Sequence, residues 1–104
     1  MGVQSDKITV HIDEDLAEIV PGYLFNRRKD VDQQLPQALA SGDFQTLRIL
    51  GHRMKGSGAG YGFEGVSEIG RAIEEAAKLE NRDGITQGIA DLANYLDHLD
   101  VIYD

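Results

Sequence analysis

Only three of the 104 residues are histidines, His11, His52 and His98, and none is cysteine. An imidazole near neutral pH can serve as a base, a metal ligand or a nucleophile, and its surroundings decide which. His52 lies in the stretch GHRMKGSGAGYG, with Arg48, Arg53 and Lys55 around it, in a chain whose formal net charge is −8. A local positive field in an acidic protein suits an anion. A phosphoryl group carried on nitrogen would be such an anion, with Lys55 beside it as a point charge.

Other chemistries fit less well. No two histidines stand three or four residues apart, there is no HExxH, and the cations near His52 would repel a metal ion. GSGAGYG neither matches GxGxxG nor follows a strand pattern, which argues against a dinucleotide site. Ser57 as a hydrolytic nucleophile would need a base beside it, and a helical wheel turns it about 140° away from His52.

The histidine must be held by a helix. Phe44, Leu47, Leu50, Met54 and Tyr61 form an apolar stripe at helical spacing over 44–61. His52 falls on the opposite side, facing solvent, with Arg48, Lys55, Gly56 and Ala59 as its neighbours on that face. The same stretch, 51–62, contains five glycines, each costing about 1 kcal/mol relative to alanine in a helix interior. Gly51 and Gly58 lie toward the packed side, where they permit close approach of another helix. Gly56 stands beside His52 and leaves clearance for a partner's surface, and Gly60 and Gly62 belong to a turn.

Three further helical regions are expected. The first runs from about Glu14 to Ala40, as a short helix, a bend near Pro21, a longer helix from about Gly22 and a weak point near Pro36. Arg28 falls on its apolar stripe beside Leu24, Val31 and Leu35, either as a snorkelling side chain or as a second cation for the site. Another region covers about Phe63 to Glu80. The last, capped by Asp83, carries Ile85, Ile89, Leu92, Leu96, Leu99 and Tyr103. No segment shows convincing two-residue alternation. The expected fold is all-α, an antiparallel four-helix bundle with a short additional N-terminal helix. Residues 1–13 form a tail, with KITVHI extended against the domain, and 14–104 form the bundle.

LGHRMKGSGAGYG resembles the signature of histidine-containing phosphotransfer (HPt) domains, through His52, Met54, Lys55, Gly56, Ser57 and Gly62. Ile73 and Glu74 match a Leu-Glu pair common in the family's next helix, and Gly51 departs from the frequent alanine at its position. The resemblance covers about Leu16 to Leu99. It implies a phosphorelay carrier in which His52 accepts a phosphoryl group from an aspartyl-phosphate receiver domain and passes it to another. It also implies no kinase activity of its own, no cofactor, and Mg²⁺ only on the receiver. The implied partners are response-regulator receivers, a hybrid histidine kinase, or both. Arg48, Gly56, Ser57, Ala59, Glu74 and Arg28 would support docking. A helical adaptor of the same fold that never carries phosphate is the alternative.

The acidic balance argues against a nucleic-acid surface, and no apolar run is long enough to span a bilayer. The N-terminus lacks the pattern of a signal peptide. A cytoplasmic monomer is expected.

Overall fold

A computed structural model describes residues 7–104; the first part of the expected tail, residues 1–6, lies outside them. Strand β1 (Ile8–Ile12) opens the described chain and a single 3₁₀ turn (Glu14–Leu16) follows. Then come α1 (Val20–Lys29), a π-helical segment (Asp30–Gln34) and α2 (Leu35–Ala40), which run on without a break as one rod. Helices α3 (Phe44–Tyr61), α4 (Glu64–Lys78) and α5 (Arg82–His98) complete a four-rod bundle, and β2 (Leu99–Tyr103) ends the chain.

The first rod corrects two expectations. In place of an additional N-terminal helix there is only the 3₁₀ turn, capped by Asp13 accepting from the Asp15 amide at 2.8 Å. Pro21 does not bend the rod. It sits in the first turn of α1, where an amide hydrogen would lack a helical partner anyway. Pro36 acts as expected in kind but not in form. It cannot donate to the preceding turn, and the ladder shifts into the π segment, with the Leu35 amide donating to the Asp30 carbonyl. Asp30 is buried in that segment, 2.9 Å from Arg27 and 3.2 Å from Gln34. Burial raises its carboxyl pKa, against the lowering effect of the Arg27 guanidinium.

Asp43 caps α3, accepting from the Thr46 amide at 3.1 Å. Gly62 ends it in the left-handed region at φ 92°, and the Phe63 amide returns to the Gly58 carbonyl at 2.7 Å. The turn is tight enough to send α4 back along α3. Phe63, Val66 and Ile73 of this hairpin are fully buried with Leu47 and Met54. Asn81, not Asp83, caps α5 by accepting from the Gly84 amide at 3.0 Å; Asp83 lies inside the first turn, near the positive end of the helix dipole.

The β-strands are the main departure from an all-helical chain. β1 and β2 pair in parallel, Ile8 with Leu99 through Ile12 with Tyr103. The last helix therefore stops at His98, and Leu99 and Tyr103 belong to the strand. Their spacing of four fits a helical stripe and a strand face equally well, which is why periodicity alone put them on the helix. Ile12 reaches the core at 2% exposure. No helix among the described residues is long and apolar enough to cross a membrane.

Candidate functional site

The α3–α4 contact builds the site. A Cβ on Gly51 would lie 2.6 Å from the Glu74 amide nitrogen and 2.7 Å from the Gly70 carbonyl. A Cβ on Gly70 would meet the Lys55 nitrogen at 2.6 Å, and one on Gly58 the Ser67 nitrogen at 2.5 Å. The two backbones thus touch along this line because three glycines leave nothing between them. Ser67 fastens the contact by donating to the Lys55 carbonyl at 2.7 Å. Gly51 is therefore no bystander to the chemistry: its missing side chain lets α4 bring Glu74 up to the histidine.

His52 is displayed as its helical phase required, with its side chain 67% exposed. Its Nδ1 lies 3.0 Å from Glu74 Oε2, and Lys55 Nζ lies 3.3 Å from Oε1 of the same carboxylate. Glu74 is only 7% exposed at its side chain. Its Oε1 has no well-directed hydrogen bond, so the Lys55 ammonium is its ionic partner. Burial by itself would raise the Glu74 pKa, but the hydrogen bond with His52, the contact with Lys55 and their charges outweigh it. The net pKa lies below the ordinary value of 4.5, and Glu74 is a carboxylate at neutral pH. A carboxylate only accepts, so Nδ1 carries the proton and donates. In the neutral ring the second nitrogen, Nε2, then holds the lone pair, and it has no protein partner among the described residues.

A shallow hollow of about 270 Å³ adjoins the ring, lined by Arg48, Ile49, His52, Arg53, Glu74 and Lys78. Gly56 and Ala59 are exposed on the same helix, and a Cβ on Gly56 would meet nothing within 4 Å. Helical phase thus brings Arg48, Lys55, Gly56 and Ala59 around His52 as expected, and the tertiary fold adds Glu74.

Two expected residues lie elsewhere. Ser57 faces the first rod, where its hydroxyl is 2.9 Å from that of Tyr23. Tyr23 also stacks on Tyr61 at 4.3 Å, so this contact clamps α1 to the end of α3. Arg28 forms an ion pair with Asp97 and joins α1 to α5. It is a cross-bundle tie, and no contact links it to His52. Ile49 also belongs to this face, beyond the residues expected there. It is 38% exposed, lines the hollow, and its signal was an apolar residue on the histidine's own helix face. Lys78 could not be found from spacing, since it comes from α4.

The arrangement presents an oriented imidazole on an open surface rather than in a cleft, the layout of a helical module that works by docking. The chain belongs to the Hpt domain family, whose model matches residues 27–101. No curated protein and no solved structure matches the chain. Hpt domains are helical phosphocarrier modules of two-component phosphorelays, where they interact with receiver domains and histidine kinases. Among the described residues no group of three or more metal-ligating side chains is assembled.

Removing Lys55 tests the electrostatics directly. Lys55→Ala should move the Glu74 carboxyl pKa upward, because burial then acts against one cation fewer. The sign for stability follows. A depressed folded pKa stabilises the fold above the unfolded value and loses that contribution as pH falls through the folded one. Carboxyl NMR titration should place the wild-type midpoint below the ordinary value and the variant's above the wild type's. Equal midpoints would show that Lys55 does not act on Glu74.

Proposed function

We propose that the protein carries a phosphoryl group on His52 between aspartyl-phosphate receiver domains. The observation that carries this reading is the Nδ1–Glu74 contact of 3.0 Å beneath a ring whose other nitrogen faces solvent. In the forward step the Nε2 lone pair attacks phosphorus in line, and a new N–P bond forms as the P–O bond to the receiver's aspartate breaks. The aspartate leaves as carboxylate with the bonding electron pair. The ring keeps its Nδ1 proton and becomes cationic, and the Glu74 carboxylate compensates that charge. Transfer to a second receiver is the same step reversed. Phosphoryl transfer of this kind depends on positioning and charge more than on covalent catalysis by the protein. The receiver would supply Mg²⁺.

Lys55 is half-exposed, pairs with the carboxylate oxygen of Glu74 that His52 leaves free, and can turn toward a phosphoryl group on Nε2. Arg48 borders the hollow on the other side. Ile49 and Ala59 offer apolar contact to the partner, and Gly56 offers clearance. An adaptor that never carries phosphate would have no use for a buried carboxylate that fixes the ring's tautomer. The test is incubation with a phosphorylated receiver. An acid-labile, alkali-stable phosphoprotein is expected, and a chain that stays unphosphorylated across several receivers would sink the proposal.

Gly56→Gln probes the docking path separately. The fold has open space at this position and glutamine is a better helix former than glycine, so stability should rise by about 0.5–1 kcal/mol. Transfer should nevertheless slow by ~10-fold or more, since an added side chain one turn from the nucleophile displaces the partner. Wild-type transfer rates in this variant would remove the clearance argument.

A further inference from the structure

The two-stranded sheet has an open side. β1's only strand partner among the described residues is β2, and a two-stranded sheet is marginal by itself. The Asp104 amide donates to the Ile12 carbonyl at 3.0 Å. In a parallel ladder the residues of one strand alternate in the side to which their N–H and C=O groups point. Ile8, Val10 and Ile12 therefore bond inward to β2, and Thr9 and His11 direct theirs to the outer edge, while the Asp13 carbonyl already accepts from the Leu16 amide at 2.9 Å. Among the described residues nothing pairs with that edge: Lys7, Thr9, His11 and Asp13 are exposed, and Ile8 and Val10 beside it are only half-buried although they face the bundle. The strand is short and Lys7 borders it, but it carries no proline and no inward-pointing charge.

The sequence of this edge is complementary to itself. Set antiparallel to its own copy about Val10, Lys7 falls opposite Asp13, Thr9 opposite His11, and Ile8 opposite Ile12. The pair that must exchange hydrogen bonds, Thr9 with His11, is the pair whose backbone groups point outward, and Lys7 falls beside Asp13 at each end. The apolar pairs, Ile8 with Ile12 and Val10 with Val10, stay together on the bundle-facing side. Charge agrees with register, since each Lys7 ammonium meets an Asp13 carboxylate. Asp13 uses Oδ1 for its own cap and keeps Oδ2 for an outside cation. A shift of one residue would put Lys7 opposite Ile12 and turn the apolar side chains to the wrong face.

We propose that β1 pairs across a two-fold axis with β1 of a second copy, making a four-stranded sheet and a homodimer in place of the monomer expected from sequence. None of the pairing residues belongs to the His52 site, so each copy keeps its own carrier face.

Sedimentation or light scattering across ~10 µM to ~1 mM spans the range where a small interface of this type associates. The mass should rise from one chain to two. The Thr9 and His11 amides should become protected from hydrogen exchange as concentration rises, because only the dimer bonds them. Thr9→Pro removes an outward donor and no inward one, so it should stay folded and monomeric. Lys7→Asp places like charges opposite one another twice and should weaken association ~10-fold, while Lys7→Arg should not. Both Lys7 variants are exposed and keep the question open to test if Thr9→Pro fails to fold. A single-chain mass throughout, or a dimer with unprotected Thr9 and His11 amides or one indifferent to Lys7→Asp, overturns the proposal. Phosphate acceptance by His52 should be unchanged in Lys7→Asp, so failure of the dimer and failure of the carrier reading are distinguishable.

Discussion

His52→Gln is expected to accept no phosphate from any receiver while melting within about 3 °C of the wild type. The loss is complete because the proposed bond is made by a ring nitrogen, and a glutamine amide has no comparable lone pair. The fold survives because the ring is 67% exposed and fills no core space. Glutamine can still donate to Glu74, so the buried carboxylate need not lose its partner. His11→Gln and His98→Gln should accept normally. His11 pairs with Asp104 at 2.7 Å and His98 with the Asn94 carbonyl at 2.8 Å, each through Nδ1 and away from the cationic hollow. Phosphoprotein in His52→Gln of the same acid lability as wild type would place the carrier elsewhere.

Gly51→Ala should destabilise the protein by about 3 kcal/mol, although alanine is the better helix former by about 1 kcal/mol. The added methyl would lie 2.6 Å from the Glu74 amide and 2.7 Å from the Gly70 carbonyl, and neither backbone atom can step aside without moving α4. Moving α4 also draws Glu74 away from His52, so transfer should slow together with the loss of stability. Gly56→Ala is the control. It has the same residue types on the same helix but open space around it, so stability should rise by up to about 1 kcal/mol. Denaturant melts of the two variants should therefore shift in opposite directions. Equal shifts would mean that helix propensity, not the α3–α4 approach, decides both.

The outward face of His52 was legible from sequence because it depends only on helical phase. Leu47, Leu50 and Met54 must be buried, and a period of 3.6 then turns His52, Gly56 and Ala59 to solvent. The packed role of Gly51 and Gly58 followed from the same wheel. The last three rods were legible because each carries enough apolar residues on one side to mark it without knowledge of its neighbours, whereas the first was expected to bend at Pro21, where the structure has no bend.

Where those rods touch could not be read in the same way. Glu74 and His52 are 22 residues apart, and their contact exists because three glycines bring two backbones together at one crossing. Arg28 shows the converse. Helical phase left it either a snorkelling side chain or a cation for the site, and the ion pair with Asp97 on α5 could not be read from that phase. The sheet lay furthest from view. Ile8–Ile12 falls in a stretch expected to be extended, but Leu99–Tyr103 fits a helical stripe as well, and nothing local to either segment marks the other as its partner. By itself, the sequence determined which faces are buried and which side chain is offered to a partner. Only the tertiary structure decided what stands behind that side chain and how the two ends of the chain meet, because both depend on contacts between segments that carry no local signal of each other.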